Sequence, residues 1–570
     1  MNPIDQQTRQ DYEASRDLEG KPFRSACYAP YASLYFSTNG DVIACCKNAT
    51  YVLGNVATDR LPDIWTGKKA DALRKAVKDY RLGVGCEFCE WQIQGGQYDQ
   101  VYARLFDELP VDDAAHNTWP AMMEFAVSNT CNLACIMCYG VLSSTIRAHR
   151  EKLPPLPRVY DDRFFDDLRP FLPHLKIAKF FGGEPFLGQE NFRIWDMMID
   201  EGIEIPCHVT TNGTFFNKKV ERILEAFPVH LSISLDGATK ETMESIRVNA
   251  DFEKTRANVE RFLEYTRQRG TGMGLTYCLM QQNWHEFGAY LEYAESMGLE
   301  VFVNTVIDPG HCSLYTLPPD EVVEIARQME AMDARAGYRN LDINGHVWSS
   351  LVEAVHKNAS ERQREGISDI KQGWADKSHL AHGWELVGQG KKDEGLAAAR
   401  KIPESHADFY QGLVLQAHVL RQTERLDEAG EALDRAVSIY KKGPNAYMER
   451  AWLRLQLEQP ADAYEDAIEA QRLIREDTSH SLHPYVQNVL SLCCSQTGRH
   501  GEAVEAADRA LEMEPENAWF HVHHGWCLAG AGRFDDAGAA ARRALELDPG
   551  NGEAPRLLEH ATTEAARTER

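Results

Sequence analysis

Two hydrophobic periodicities divide this chain. Over roughly the first 310 residues, short β-type runs alternate with stretches long enough for helices. Phe125–Ser128, Lys176–Phe181, Cys207–Asn212, His230–Ser234, Thr276–Met280 and Val301–Val306 read as strands. Ahead of them, two β-type runs between Ser33 and Cys45 flank Asn39-Gly40-Asp41, a strong hairpin signal. Leu61-Pro-Asp-Ile-Trp65 then leads into a helical stretch, Lys68–Tyr80, and Leu317-Pro-Pro-Asp320 opens another helix in a helical connecting region, 313–374. From about residue 375 alanine, leucine and charged residues recur with a period of 34. Ala429 and Ala463, Ala436 and Ala470, Ala503 and Ala537, Ala510 and Ala544, and Pro515 and Pro549 all stand 34 apart. Between Ala463 and Ala503 the step is 40, which places a six-residue insertion around Arg475–His480. With a weaker opening unit around Gly383 and Gly395, the pattern predicts five helix-pair units, none able to bury its apolar face alone.

A length of 570 residues predicts several domains. No run approaches the ~20 apolar residues of a membrane span. Residues 1–20, a polar tail by composition, lack the basic start and apolar run of an export signal, so a cytoplasmic setting is expected. The net charge of −25 argues against nucleic acid as the main partner. In that setting fourteen cysteines read as metal ligands and buried residues, not disulfides.

Seven of those cysteines form two sets. Cys131, Cys135 and Cys138 supply three thiolates within eight residues, with no fourth nearby. A four-iron cubane on three thiolates keeps one iron open for a substrate or cofactor, so the motif points to chemistry. A zinc site or chance clustering is the alternative. The second set is Cys27, Cys45, Cys86 and Cys89: the hairpin returns Cys45 towards Cys27, and Cys86-x2-Cys89 offers two thiolates to one centre. Cys46 adjoins Cys45, and strand neighbours point to opposite faces, so one of the two is expected to serve.

The first set is followed in order by Gly182-Gly183-Glu184, Thr211-Asn212-Gly213-Thr214 and Ser234-Leu235-Asp236-Gly237. This series resembles the radical S-adenosylmethionine (SAM) family over roughly residues 118–310. The resemblance implies an α/β fold, a partial (β/α)6 barrel over 116–312, with a [4Fe-4S] cluster on Cys131, Cys135 and Cys138 whose open iron chelates SAM. It implies Glu184 for the methionyl ammonium, with Gly182 and Gly183 allowing close backbone approach. Thr211 and Asn212 are expected on the ribose or methionyl part, Ser234 and Asp236 at a further strand end, and Arg247 on the SAM carboxylate. Met137 stands where the family often has an aromatic against adenine. The implied chemistry is reductive cleavage of SAM to a 5′-deoxyadenosyl radical, fed by a reductant such as flavodoxin or ferredoxin, and hydrogen abstraction from an unactivated carbon.

Cys27-x12-Gly40-x4-Cys45, Leu53-Gly-Asn55, Pro62-Asp-Ile-Trp65 and Cys86-x2-Cys89 resemble the SPASM/twitch modules of that family. The resemblance implies a second, auxiliary [4Fe-4S] cluster in a hairpin-and-helix module, 21–115. The family usually places this module after the barrel, and here it comes before. Structural zinc on the same four ligands is the alternative. Residues 375–570 resemble tetratricopeptide repeats (TPR), an all-α solenoid whose concave face usually binds an extended peptide or a partner protein. Capping the barrel or self-association are the other roles open to it.

Cys312, in Asp308-Pro-Gly-His-Cys312, is expected near the barrel mouth with Asn304, Asp308 and His311. It either gives a hydrogen atom to a substrate radical, adds a ligand, or is an idle thiol. Cys207 and Cys278 read as structural or core residues, and His521, His523 and His524 as ordinary repeat side chains. The leading expectation is a radical SAM oxidoreductase or maturase acting on a peptide or protein recruited by the repeats, the auxiliary cluster assisting oxidation. A dehydrogenase or epimerase of a sugar or other small metabolite comes second. A TPR adaptor with vestigial cluster domains comes third, disfavoured by the intact motifs.

Overall fold

The computed structural model describes residues 4–568 apart from 97, 113–117, 366–378, 405, 407 and 475–481. It divides into two compact units, Met1–Arg147 with Leu156–Asp376, and Ala148–Pro155 with Lys377–Arg570.

The first unit is built on nine strands: β1 (Ser33–Phe36), β2 (Asp41–Ile43), β3 (Gly54–Asn55), β4 (Met122–Phe125), β5 (Ile177–Phe180), β6 (Cys207–Thr211), β7 (Val229–Ser234), β8 (Met273–Leu279) and β9 (Glu300–Thr305). They lie in the order β3-β2-β1-β4-β5-β6-β7-β8-β9. From β4 to β9 each strand pairs in parallel with the next, with helices in the connections, which is the expected partial β/α barrel. The hairpin is not a separate leaf. β1 runs parallel to β4, Tyr35 opposite Glu124, so the N-terminal module extends the barrel sheet. Phe36, Phe125 and Phe180 stack along one face, and Phe180 packs on Trp195 of the helix Gln189–Asp200.

The hairpin turn explains its own signature. Asn55 donates to the Asn39 carbonyl (3.1 Å) and the Asp41 carboxylate (2.8 Å), so the Leu-Gly-Asn run clamps the turn. Gly54 admits no side chain, because a Cβ there would lie 2.6 Å from Ile64. Trp65 is buried under the Arg74 guanidinium, 4.6 Å from the ring centre.

Four sequence expectations need correction. The first barrel strand ends at Phe125, where it was expected to begin; Ala126–Ser128 already form the loop, and Ala126 is covered by Gly182. Residues 1–20 are not a tail in their described part. The helix Gln6–Ala14 buries Tyr12, and Arg16 pairs with Asp107 at 2.5 Å; two widely spaced anchors leave no apolar signature. The 313–374 region is not a connector where it is described. Helices Pro319–Ala336 and Gly345–Glu365 bury Val322, Met329, Trp348 and Val355 in the barrel core, and Asn344 binds the edge strand through Val301 N and the Leu299 carbonyl. Residues 148–155 interrupt the barrel stretch and belong to the second unit, where Leu153 joins a core with Leu396 and Tyr410.

The second unit contains the five predicted helix pairs: His379–Gly388 with Lys392–Arg400, Phe409–Gln422 with Leu426–Ile439, Pro444–Gln456 with Pro460–Ile474, His483–Gln496 with His500–Met513, and Ala518–Gly530 with Phe534–Leu547. A single helix, Ala554–Thr568, closes the array. The 34-residue alanines Ala429, Ala463, Ala503 and Ala537 are all fully buried, as helices at close approach require. The insertion around Arg475–His480 lies outside the described residues, Arg475 to Ser481. The three imidazoles of Ala518–Gly530 diverge: His521 meets the Pro515 carbonyl, His523 meets Asn488, and His524 meets Asp508. Among the described residues no helix is long and apolar enough to cross a membrane.

Candidate active site

The first cysteine set leaves the C-terminal end of β4. Its loop is strapped in place by backbone bonds, Ala134 N to the Val248 carbonyl and Ile136 N to the Ile246 carbonyl, both 2.9 Å. Thr145 Oγ1 donates to the Cys131 carbonyl at 2.6 Å. Cys135 is buried, and Cys131 and Cys138 are half-buried. Burial and then the neighbouring thiols push Cys138 up to about 12, and burial pushes Cys131 up to about 11. These thiols hold their protons until a cation displaces them, as thiolate metal sites do.

Gly182 and Gly183 follow β5 with φ of +78° and +59°. Their approach is to the cysteine loop and not to a ligand: a Cβ on Gly183 would lie 2.7 Å from the Thr130 carbonyl oxygen. Glu184 is likewise a brace. Its buried carboxylate accepts from Thr211 Oγ1 (2.8 Å), Asn212 N (2.8 Å) and Phe186 N (3.0 Å), so three of about four acceptor sites are taken. One acceptor site of the carboxylate is left, and Thr211 Oγ1 spends its proton on Glu184. Asn212 Nδ2 donates to Asn132 at 3.0 Å and stands 3.9 Å from the Cys131 sulfur.

Asp236, at φ +64° and fully buried, accepts from Cys278 N at 2.6 Å and pairs with Arg247 at 2.5 Å. Arg247 lies just past the helix Lys240–Ile246, with Nη1 4.0 Å from the Cys135 sulfur. It is therefore not the free bidentate arginine expected, yet its Nε is buried without a hydrogen-bond partner among the described residues. Ser234 ends β7 half-buried, and its hydroxyl makes no hydrogen bond among the described residues. An unfilled donor on a buried guanidinium beside Cys135 fits a cluster with a carboxylate-bearing ligand.

Met137 packs with Ile246, Met280, Val306 and Cys312. Cys312 is fully buried in that cluster, not at an open mouth, so it cannot meet a substrate carbon directly. Cys278, expected in the core, is half-buried in the same cluster and faces Asp236 and Arg247. Cys207 is fully buried, and burial pushes its thiol up to about 12. Tyr139 donates to Asp308.

The second set gathers at the opposite ends of the strands. Cys27 precedes β1, and Cys45 follows antiparallel β2, so both lie at the N-terminal edge of the sheet. Cys27, Cys45, Cys86 and Cys89 line one cavity with Asn48 and Tyr102. The sulfurs line it without converging to single-ion distance among the described residues. Ala29 N donates to the Cys27 sulfur (3.3 Å) and Asn48 Nδ2 to the Cys86 sulfur (3.2 Å), contacts that suit cluster thiolates. Burial pushes Cys89 up to about 11, Cys86 up to about 12, and Cys27 and Cys45 well above the usual thiol range. Cys46 turns away to Tyr102 Oη at 3.0 Å. The two neighbours diverge beyond the end of β2, so the separation comes from a bend and not from strand alternation.

Sequence reasoning passed over Asn132, which ties the cysteine loop to Asn212 and Thr214, and the polar strand positions Glu124, Lys179, His208 and His230. A polar residue in each of four β-type runs was the available signal.

Residues 125–294 match the sequence model of the radical SAM superfamily, and residues 27–90 match that of the SPASM iron–sulfur cluster-binding domain. Residues 380–447 and 495–552 match a tetratricopeptide repeat model. The chain thus carries a radical SAM domain, preceded by a SPASM domain and followed by TPR repeats. These domains entail a [4Fe-4S] cluster with SAM and an auxiliary iron–sulfur cluster. Among characterised relatives, an AdoMet-dependent heme synthase of Methanosarcina barkeri is 26% identical over 181 residues, 31% of this chain and 48% of that protein. A probable GTP 3′,8-cyclase of Methanococcus maripaludis is 22% identical over 219 residues, 38% of this chain and 69% of that protein. The chain spans about half the length of the heme synthase. Similar solved structures include a TPR protein of Thermus thermophilus (17% identity, 33% of this chain and 100% of that one, TM-score 0.28) and YrrB, a TPR protein with an unusual peptide-binding site (17% identity, 36% and 96%, TM-score 0.24).

Proposed function

We propose that this radical SAM enzyme removes hydrogen from a peptide or protein substrate recruited by its TPR array, with the auxiliary cluster assisting oxidation. The observation that carries the reading is the pair of thiol sets at opposite ends of one sheet, three sulfurs at one end and four lining one cavity at the other. When bound, the first cluster and SAM supply a carbon-centred radical able to take hydrogen from an unactivated carbon. In this reading Cys131, Cys135 and Cys138 hold the SAM cluster, and Cys27, Cys45, Cys86 and Cys89 the auxiliary one. Arg247 Nε and the Ser234 hydroxyl meet SAM, and Met137 packs beside it. Gly182, Gly183, Glu184, Thr211 and Asn212 fix the cysteine loop to the ends of β5 and β6, and Asp236 orients Arg247. A flavodoxin or ferredoxin is the reductant.

The names of the relatives support a second reading, a small-metabolite substrate, since one relative is a heme synthase and another a probable GTP cyclase. Anaerobically reconstituted full-length protein with dithionite and SAM should release 5′-deoxyadenosine, and failure to do so overturns both readings. Turnover of a purified peptide substrate, lost when the exposed Trp519 and Tyr485 of the array are replaced, favours the first. Undiminished turnover of a metabolite in that variant favours the second.

A further inference from the structure

Glu124, Lys179, His208 and His230 serve neither thiol set. They form one row across four adjacent strands, because Glu124 pairs with Lys179, Lys179 with His208, and His208 with His230 in the parallel register. Side chains alternate between the faces of a sheet. The alternate residues Phe125, Phe180, Val209 and Leu231 are buried, and Phe180 packs on Trp195 of an outer helix. The polar row therefore stands on the other face, where His208 is exposed and the Lys179 side chain is 27% exposed.

The row is built to offer donors. Glu124 is 2% exposed, with Oε1 3.4 Å from Lys179 Nζ and Oε2 buried without a hydrogen bond. Glu124 Oε1 thus stands behind the Lys179 amino group, whose remaining donors face the open side. The two imidazoles stack in parallel, 4.7 Å between centroids and 9° apart. Gly272 N donates to His230 Nδ1 at 3.0 Å, which leaves the ring proton on Nε2, a donor. An ammonium and an imidazole N–H on one open face call for an oxygen anion, which makes charge-assisted bonds to both.

The row lies four residues below the motif ends, from His208 to Asn212 and from Glu124 to Ser128. At strand rise that is about 13 Å. We propose that Lys179, His208 and His230, backed by Glu124, form a substrate subsite that takes a carboxylate or phosphate group about 13 Å along the strands from the SAM end. The proposal rests on the reading that the open face of this sheet receives the substrate. For a peptide, about 13 Å of extended chain is about four residues, so an acidic residue about four positions from the attacked carbon is the feature recognised.

Diethylpyrocarbonate footprinting of the full-length protein at pH 7, read by mass spectrometry, tests this without knowledge of the natural substrate. His208 is the exposed imidazole of the row and the one the reagent reaches. N-acetylglutamate α-methylamide and inorganic phosphate are the probes, N-acetylglutamine α-methylamide the uncharged control, and exposed His311 the internal reference. Either anion should slow modification of His208 by about threefold at twice its Kd, while the uncharged control and His311 show no effect; the stronger anion tells carboxylate from phosphate. Lys179→Arg should keep the protection and Lys179→Gln should lose it. Equal protection by glutamate and glutamine analogues, or none by either anion, overturns the subsite on the wild-type protein alone, as does retained protection in Lys179→Gln. Wild-type 5′-deoxyadenosine release is measured in parallel. Its absence sinks the enzyme reading, whereas its presence without protection sinks only the subsite.

Discussion

The two thiol sets use the same donor atom in different enclosures. Cys131, Cys135 and Cys138 sit on a loop tied down by backbone straps, with the buried Arg247 guanidinium and its unspent Nε beside Cys135. Cys27, Cys45, Cys86 and Cys89 line a cavity whose polar neighbours, Ala29 N and Asn48 Nδ2, already point at the sulfurs. The first site leaves donors unspent around three ligands. The second spends its two donors on Cys27 and Cys86. A site meant to bind something beyond its cluster needs the former arrangement, and a site meant only to hold a cluster needs the latter.

The largest effect should come from breaking the open site. Cys135→Ala should remove one cubane, about four of about eight irons, and drop 5′-deoxyadenosine release to background. Cys45→Ala should also cost about four irons but leave that release measurable, while Cys46→Ala should keep the full iron content. Loss of iron in Cys46→Ala and not in Cys45→Ala would reverse the ligand assignment. Four irons with one zinc in the wild type would make the closed site structural.

Asp236→Asn sharpens the comparison at the arginine. It leaves Arg247 buried beside Cys135 without its counter-charge, a change that costs about 3–5 kcal/mol. A thermal shift measured against wild type reads this, and an unchanged midpoint contradicts the brace. The smallest effect lies in the array. Burial holds His523 down to about 4, with Glu553 only partly offsetting. Between the unfolded value near 6.5 and about 4 the unfolded state binds the extra proton, so stability is lost as pH falls through that window, by at most roughly 3 kcal/mol. Hydrogen exchange in Ala518–Gly530 should accelerate from pH 7 to pH 4.5 beyond the intrinsic rate, and less so in His523→Gln.

Much of this was legible in the chain, for reasons specific to each element. The repeats were, because burying alanines at a fixed period writes the helix pairs into the sequence directly. So were both thiol sets, because ligand spacing is local. Expectations failed where long-range packing decides. The helix Gln6–Ala14 hangs on Tyr12 and Arg16, whose partners lie 14 and 91 positions away. The joining of β1 to β4 sets Ser33 opposite Met122, a pairing that the local pattern of neither strand shows. The protein partners of Glu184 and Arg247 were not legible either, because family motifs name residues and not their partners: Glu184 accepts from three protein donors and Arg247 pairs with Asp236.

The central claim is that the three-thiol site is open to SAM and the four-thiol site is not. Electron paramagnetic resonance of the dithionite-reduced, reconstituted full-length protein, with and without SAM, tests it most directly. Two reduced cluster signals are predicted. Adding SAM should shift the one that survives in Cys45→Ala and leave untouched the one that survives in Cys135→Ala. A SAM-induced shift of the signal in Cys135→Ala, or no shift in Cys45→Ala, would contradict the account.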